Sequence, residues 1–203
     1  TAGAAAFGAL AHYVLIVTLI GTVIFLSAYL VAIFGARFRL IDFIRAAIPA
    51  QAVAISTQSS LASLPTMVEG AKQLGVGART TDIVLPIAVA IFRATSPAMN
   101  IAVALYVAHI MGVDLGPQEI AIGVVVAAIT TLGSVSLPGS ISFIVSIAPI
   151  CLAMGVPIEP LGLLIAIETF PDIMRTLGNV TMDIAVTGTV GRAEGDVASR
   201  EKA

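Results

Sequence analysis

The stretch STQSSLASLP at positions 56–65 interrupts a chain that is otherwise dominated by aliphatic residues. It holds four serines, a threonine and a glutamine, and it closes on Leu-Pro. A second stretch of this kind, GSVSLPGS, stands at positions 133–140, again between apolar segments. Serine hydroxyls bond the backbone groups that are freed where a helix ends, and proline disfavours continuation of the helix. The two stretches therefore predict turns between paired helices, with tips at 59–65 and 134–139.

The composition around these stretches is that of a membrane protein. Of the 203 residues, 58% are hydrophobic and 11% are charged, with a mean hydropathy of +1.06, whereas a soluble domain has about a quarter of its residues charged. The net charge is −2 and no basic stripe is present, which argues against nucleic acid as a partner. Cys151 is the single cysteine, so the chain has neither an internal disulfide nor a cysteine-based zinc site.

The apolar segments predict how the chain meets the bilayer. Residues 10–34 carry no Lys, Arg, Asp or Glu and exceed the roughly 20 residues that a spanning helix needs. The segments that flank each serine stretch are shorter, so each pair predicts a re-entrant hairpin that enters and leaves at one membrane face. Kinked packing helices rich in small residues are the alternative.

We therefore predict an all-α membrane protein with transmembrane helices, two re-entrant helical hairpins and a broken helix. The opening TAGAAAFGAL does not resemble a signal peptide, and we expect further chain before it. The predicted parts are a transmembrane helix at 1–40, a core at 41–190 and a polar cytoplasmic tail at 191–203, which we expect to fray. The core divides into hairpin one near 46–78, the broken helix at 82–112, hairpin two at 119–155 and the last helix at 161–190.

The basic residues predict the orientation. The loops GVDLGPQE and GVPIEP beside the second hairpin hold only acidic charges. Basic residues flank the first hairpin and occupy the tail, namely Arg37, Arg39, Arg45, Lys72, Arg79, Arg192, Arg200 and Lys202. The positive-inside rule then places the first hairpin and the C-terminus on the cytoplasmic side of a cell (inner) membrane, with the chain crossing it several times. The two tips would meet near the midplane.

The last apolar segment, ETFPDIMRTLGNVTMD at 168–183, carries a polar stripe. Its members recur at three- and four-residue steps and so share one helical face, namely Glu168, Asp172, Arg175, Thr176, Asn179 and Asp183. A charge at the centre of a membrane helix costs about 2.5–3.5 kcal/mol, so a stripe of charges indicates a functional site. Arg93 is the second basic residue that falls inside an apolar segment.

The motifs TQSSLASLP, SVSLPGS and DIMRTLGNVTMD resemble, in order and spacing, the carboxy-terminal half of the dicarboxylate/amino acid:cation symporters, the glutamate transporter family. RTLGNVTMD is close to a signature of that family. The resemblance implies a glutamate-transporter-like transport core that moves by an elevator-like displacement. It also implies secondary-active symport of aspartate, glutamate or a dicarboxylate, a lipid bilayer around the core, and a homotrimer in the full-length protein.

The resemblance also implies roles for residues of the last helix. Arg175 would bind the side-chain carboxylate of the substrate, and Asp172 would bind its ammonium group. Thr176 and Asn179 would add hydrogen bonds, and Asn179 with Asp183 would belong to a sodium site. A guanidinium binds a carboxylate through two parallel hydrogen bonds, which lysine does not provide.

The two hairpin tips and the broken helix complete the implied site. Ser59 and Ser60 would meet the main-chain carboxylate of the substrate from the first tip, and Pro138 with Gly139 would close from the second. Ser96 keeps a hydroxyl where the family has a threonine.

The broken helix departs from the family pattern. An ungapped alignment from Leu85-Pro86 puts the family motif Asn-Met-Asp-Gly-Thr on residues 92–96, where Phe92 and Ala94 replace the asparagine and the aspartate. A hard cation needs oxygen ligands, so at least one sodium site of the family is predicted to be lost. Arg93 either snorkels to the membrane surface, or pairs with a nearby carboxylate such as Asp183, or stands in for a bound cation. The coupling ion is then sodium or a proton, at reduced stoichiometry, and no other cofactor is expected.

Other functions remain open at this stage. An intramembrane serine enzyme needs a base beside its nucleophile, and neither His12 nor His109 lies near a serine stretch in sequence, so we predict no enzymatic activity. A non-transporting relative, a passive anion pathway and a sodium-independent carrier, coupled to protons or uncoupled, are the alternatives to the symporter.

Overall fold

The computed structural model describes the backbone of residues 2–133 and 139–198, with side chains from 7–132 and 142–198. In these ranges the regular structure is helical, apart from one β-bridge between Val76 and Val197. The helices are α1 (Ala2–Leu30, extended by a π-turn at Val31–Gly35), α2 (Leu40–Thr57), α3 (Ser60–Gln73), α4 (Ala78–Ile87, extended by a π-turn at Ala88–Phe92), α5 (Ser96–Met111), α6 (Pro117–Gly133), α7 (Gly139–Ala153), α8 (Leu161–Leu164, extended by a 3-10 turn at Ile165–Ile167) and α9 (Thr169–Ala193).

Over the described ranges, three helical segments are long and apolar enough to cross a membrane. They are Phe7–Gly35, Leu40–Thr57 and Ala78–Met111. Two shorter apolar helices, Pro117–Leu132 and Ser142–Ala153, fall below the spanning length. α2 begins at Leu40, six residues before the predicted start of hairpin one near residue 46, so this helix is longer than predicted.

The chain divides into two compact units. Unit 1 comprises Thr1–Thr22 and Thr95–Arg175, and unit 2 comprises Val23–Ala94 and Thr176–Ala203. Both units are discontinuous in sequence, since α1 and α9 each contribute residues to both.

In unit 2, α2 and α3 form an antiparallel helical pair. Gly70, late in α3, lies so close to Ala46, early in α2, that a Cβ on the glycine would stand 2.5 Å from the Ala46 carbonyl oxygen. Only glycine allows two backbones to approach to this distance. The core of the unit is completed by fully buried Phe43, Met67 and Leu85.

The turn between α2 and α3 is tighter than the sequence predicted. Gln58 adopts a left-handed conformation at φ 51° and ends α2, and Ser59 is the N-cap of α3. The side chain of Thr57 donates to the Val53 carbonyl at 2.7 Å, which is the backbone bonding expected of these polar residues. Pro65, however, lies inside α3 rather than at the tip, so the prediction that the tip extends to 65 is wrong. A proline there lacks only one N–H, and α3 continues through it.

The tail is attached to unit 2 rather than frayed over its described part. Val76 and Val197 form the β-bridge, Gly77 N donates to Asp196 O at 2.7 Å, and Ala198 N donates to Gly75 O at 2.9 Å. We call residues 194–198 the strap. A Cβ on Gly77 would overlap the Asp196 carboxylate, so a larger residue there would displace the Asp196 side chain. The expectation of a frayed tail is wrong for the strap. That expectation rested on the polar composition of the tail, which does not reveal backbone hydrogen bonds.

In unit 1, α6 and α7 pair and pack against α5. A Cβ on Gly123, in the first half of α6, would overlap Met154, which follows α7, so the two helices are antiparallel. The core of this unit includes Tyr13, Met99 and Ile147, each fully buried. The predicted tip between α6 and α7 falls on residues 134–138, outside the described ranges.

The segment predicted as a broken helix leaves helical geometry at Arg93. α4 and its π-turn end at Phe92, Arg93 has φ 28° and ψ 61°, and α5 begins at Ser96. A positive φ is uncommon for a residue with a side chain and marks local backbone strain.

Candidate functional site

A buried charge cluster in unit 1 surrounds the guanidinium of Arg175, whose residue is 7% exposed. Nη2 donates to Glu168 Oε1 at 2.8 Å, and Nη1 donates to Asn100 Oδ1 at 2.7 Å. Nε lies 3.5 Å from Asp172 Oδ1, one helical turn earlier. The guanidinium is therefore in contact with two carboxylates and one amide of its own chain.

Local helix geometry explains why Glu168, Asp172 and Arg175 come together. α9 begins at Thr169, and the backbone N–H of Asp172 donates to the Glu168 carbonyl at 2.8 Å, so the first turn is closed around Glu168. Steps of four and three residues then place the three side chains on one face of the helix. Carboxylates at the start of a helix are also favoured by the helix dipole.

Two contacts from other helices hold this cluster in place. Tyr13 on α1, which is fully buried, donates its hydroxyl to Glu168 Oε2 at 2.6 Å. Thr95, just before α5, donates its hydroxyl to the Arg175 carbonyl at 3.0 Å. Because Glu168 is 8% exposed, its charge depends on Arg175 and Tyr13 rather than on solvent.

Unit 2 contains the other three members of the polar stripe. Thr176, Asn179 and Asp183 are all buried, at 4%, 2% and 1% exposed. Neither carboxylate oxygen of Asp183 has a hydrogen-bond partner among the described residues. Arg93 attracts this carboxylate electrostatically. Asp183 is thus a buried acceptor whose hydrogen-bonding capacity is not used by the described part of the chain.

Ser59 and Ser60 lie at the turn between α2 and α3 and are half-buried. The hydroxyl of Ser59 accepts from Ala62 N at 3.2 Å, so it caps the first turn of α3. The turn itself is formed by Gln58, which ends α2, and Ser59, which caps α3.

The broken helix and the second tip supply the remaining predicted residues. Ser96 is 2% exposed, and its hydroxyl has no hydrogen-bond partner in the described part of the chain. Phe92 is 42% exposed, and the side chain of Ala94 offers no oxygen. Pro138 lies outside the described residues, whereas Gly139 is described only as the first residue of α7.

Residues 1–193 match the sodium:dicarboxylate symporter family. The chain belongs to this family. An excitatory amino acid transporter from Caenorhabditis elegans is 29% identical over 73% of the chain and 29% of its own length. Excitatory amino acid transporter 2 from Homo sapiens is 30% identical over 68% of the chain and 24% of its own length.

A bacterial relative is matched at a similar level. C4-dicarboxylate transport protein 1 from Pseudomonas aeruginosa (strain UCBPP-PA14) is 24% identical over 78% of this symporter-family chain and 35% of its own length. The chain thus spans between a quarter and about a third of the length of the relatives that it matches.

A cation bound by this symporter-family chain would be held by backbone and side-chain oxygens. The described ranges contain no group of three or more His, Cys, Asp or Glu residues that would hold a metal ion. A hard cation such as sodium is also bound by carbonyl and hydroxyl oxygens. Among the described residues, four have a buried side-chain oxygen without a hydrogen-bond partner, namely Thr18, Thr81, Ser96 and Asp183. Ser96 and Asp183 are the two of these that the sequence predicted as site residues.

Two residues that contact Arg175 or its partner were not predicted from the sequence. Asn100 follows Ser96 by one helical turn, and its polarity inside an apolar segment was the available signal. Tyr13 lies in a segment without charges, and a buried tyrosine hydroxyl usually requires a partner. Glu168 was recognised as a member of the stripe, but no role was assigned to it.

Proposed function

We propose that this chain is the transport core of a secondary-active symporter that carries an acidic amino acid or a dicarboxylate. The observation that supports this proposal most directly is the buried guanidinium of Arg175 in a helix of an apolar chain. Such a group is costly unless it binds anions, and its planar fork suits a carboxylate. The relatives named above are transporters for excitatory amino acids and C4-dicarboxylates, which carry carboxylates of this kind.

In this proposal Arg175 binds the distal carboxylate of the substrate and Asp172 binds its ammonium group. The side chain of Asp172 is 25% exposed, against 10% for Glu168, so a ligand reaches Asp172 more readily. The remaining contacts are assigned to hydroxyl, amide and backbone groups of Ser59, Ser60, Ser96, Pro138, Gly139, Thr176 and Asn179.

We assign α2 with α3, and α6 with α7, to two re-entrant hairpins of a multi-pass protein in the cell (inner) membrane. The first hairpin and the C-terminus face the cytoplasm in this assignment, and the full-length protein is a homotrimer. The antiparallel pairing of α2 with α3 and the short lengths of α6 and α7 support the hairpins.

A thiol-accessibility experiment tests this topology. Cys151 is buried and is the only cysteine, so a Cys151→Ser background allows single cysteines to be read without interference. Gln58→Cys should react with membrane-impermeant maleimide in only one of two preparations, inverted or right-side-out vesicles. In that preparation, addition of substrate should block the labelling. Labelling of Gln58→Cys that is unchanged by aspartate would contradict a tip that faces the substrate.

We propose further that cation coupling is reduced. Phe92 and Ala94 lack the side-chain oxygens that the family motif supplies, and the Arg93 charge lies close enough to attract Asp183. Buried carboxylates normally have hydrogen-bonding partners, so the vacant capacity of Asp183 favours one remaining ion, sodium or a proton. In this arrangement Asn179 and Asp183 belong to the one sodium site that is retained.

Uptake into proteoliposomes tests the function. The full-length protein should accumulate labelled aspartate, glutamate or succinate above equilibrium when a sodium or proton gradient is imposed. Equilibration without accumulation would indicate a passive anion pathway. Binding without uptake would indicate a non-transporting relative, and the proposal would then be wrong.

A further inference from the structure

The hydroxyl of Tyr13 is bonded to Glu168, the carboxylate that supports Arg175, and we ask what this bond does for the guanidinium. The hydroxyl donates to Oε2 of Glu168 at 2.6 Å, while Oε1 of the same carboxylate accepts from Arg175 Nη2 at 2.8 Å. The two oxygens of Glu168 are therefore divided between two donors. Both Tyr13 and Glu168 belong to unit 1, as do Asn100 and Arg175.

This division matters because of what a carboxylate does beside a guanidinium. A carboxylate with both oxygens available forms two parallel hydrogen bonds to arginine, and this bidentate geometry is the same one that a substrate carboxylate needs. With Oε2 occupied by Tyr13, Glu168 makes one hydrogen bond to Arg175. Asn100 makes one hydrogen bond to Nη1, and each terminal nitrogen carries a second N–H beyond the one used.

We propose that Tyr13 is a positioning residue for anion binding, acting through Glu168 to keep the guanidinium of Arg175 available to a substrate carboxylate. The inference rests on the proposed function, in which Arg175 binds the substrate. Glu168 then orients Arg175 and offsets its charge without occupying all the N–H donors of the guanidinium. Tyr13 is suited to this role because it is fully buried and its ring packs edge-on against Tyr106 at 5.3 Å between centroids, so its hydroxyl is held in place.

Tyr13→Phe is the direct test, because it keeps the ring and removes only the hydroxyl. Without that donor, Oε2 turns to Arg175, and Glu168 competes with the substrate for the same N–H groups. Loss of a hydrogen bond to a charged group should weaken aspartate binding by about tenfold. Calorimetric titration of the full-length protein measures this affinity, and melting temperature reports folding of each variant.

The Glu168→Gln background separates positioning from packing. A glutamine has a single acceptor oxygen and does not form the bidentate contact, so adding Tyr13→Phe to Glu168→Gln should change aspartate affinity by less than about twofold. Tyr29 is the matched control, since it lies on the same helix and its hydroxyl accepts from Gln51 at 2.9 Å, outside the Arg175 cluster. Tyr29→Phe should leave affinity unchanged.

The outcomes are distinct. A tenfold loss for Tyr13→Phe that disappears in the Glu168→Gln background supports the inference. An equal loss in both backgrounds, or no loss in either, overturns the role of Tyr13 while leaving the proposed function intact. A folded wild-type protein that binds neither aspartate, glutamate nor succinate overturns both.

Discussion

Asp172 Oδ1 lies 3.5 Å from Nε of Arg175, one helical turn away, and the side chain of Asp172 is more exposed than that of Glu168, at 25% against 10%. The two carboxylates beside the guanidinium of Arg175 thus differ in their exposure to solvent. Glu168 is enclosed with Tyr13, whereas part of the Asp172 side chain is exposed. This difference is the basis for assigning Asp172 to a substrate group and Glu168 to the support of Arg175.

Asp172→Asn should weaken binding of aspartate by more than tenfold and binding of succinate little. Loss of a buried charge-assisted contact costs about 2–5 kcal/mol. Aspartate has the ammonium group that would contact Asp172, whereas succinate has none. Competition binding with labelled substrate compares the two ligands. Asp114→Asn, at an exposed position in the loop before α6, is the control and should affect neither. Equal losses for aspartate and succinate would remove Asp172 from this role.

Arg175→Lys should reduce the affinity for every acidic substrate by more than tenfold. Lysine keeps the charge that Glu168 requires but does not present the two parallel N–H groups. Arg175→Ala is a poorer test, because it leaves the buried Glu168 without its cation, a change that typically costs 3–5 kcal/mol of folding stability. Arg192→Lys, where the arginine donates to the Ala36 carbonyl, is the matched control. Unchanged affinity in Arg175→Lys would show that the substrate binds elsewhere.

Substrate affinity should depend weakly on sodium. A positive charge about 4 Å from a cation opposes its binding by roughly 4 kcal/mol at an effective dielectric constant of 20, close to a thousandfold. The slope of log affinity on log sodium concentration, measured by calorimetry, should be about one or below. Arg93→Gln should raise this slope. The attraction between Arg93 and Asp183 is then lost, and Asp183 is available to an ion. A slope of two or three in the wild type would contradict reduced coupling.

The strap should detach at acidic pH. The hydroxyl of Thr80 donates to Asp196 Oδ2 at 2.6 Å and its backbone N–H at 3.2 Å, and these bonds hold the pKa of Asp196 below its ordinary value. A carboxyl whose pKa is lowered by folding stabilises the folded form above its unfolded pKa, about 3.9, and this contribution is lost as the pH falls through the folded pKa. Hydrogen-exchange protection of the Gly77 and Ala198 amides should therefore decrease below about pH 4.

Two variants check the origin of this pH dependence. Thr80→Val removes the hydroxyl donor and should move the loss of protection to higher pH. Asp82→Asn removes an exposed carboxylate that pairs with Lys72 at 3.5 Å and should leave the protection profile unchanged. Protection that is independent of pH in the wild type would show that the backbone bonds alone hold the strap.

Gly70→Ala should destabilise the α2–α3 pair. The added Cβ would stand 2.5 Å from the Ala46 carbonyl oxygen, so the helices must separate, at a cost of about 1–3 kcal/mol. Gly162→Ala in α8 is the matched control, because nothing lies within 4 Å of its Cβ position. Thermal unfolding of the detergent-solubilised protein measures both. A melting temperature that falls equally in the two variants would contradict close packing at Gly70.

The local organisation of this protein could be predicted from the sequence because it depends on short-range chemistry. Segment length and apolarity indicated the helices, and the serine stretch at 56–65 indicated the turn that Gln58 and Ser59 form. Steps of four and three residues, from Glu168 into α9, placed Glu168, Asp172 and Arg175 on one face without reference to any other segment. Proline was less informative, since Pro65 lies within a continuous helix.

Contacts between distant segments were decided only by tertiary packing. Tyr13 and Glu168 are 155 residues apart, Asn100 and Arg175 are 75 apart, and Thr80 and Asp196 are 116 apart. Periodicity shows which face of a helix is polar, but the partner of that face depends on how the helices pack. The sequence alone therefore determined that the last helix carries a charged stripe on one face. The packing of α1 and α5 in unit 1 determined that Tyr13 and Asn100 complete the surroundings of Arg175. The physical reason is that an unpaired buried charge is costly, so the groups packed around Glu168 and Arg175 are ones that hydrogen-bond to them.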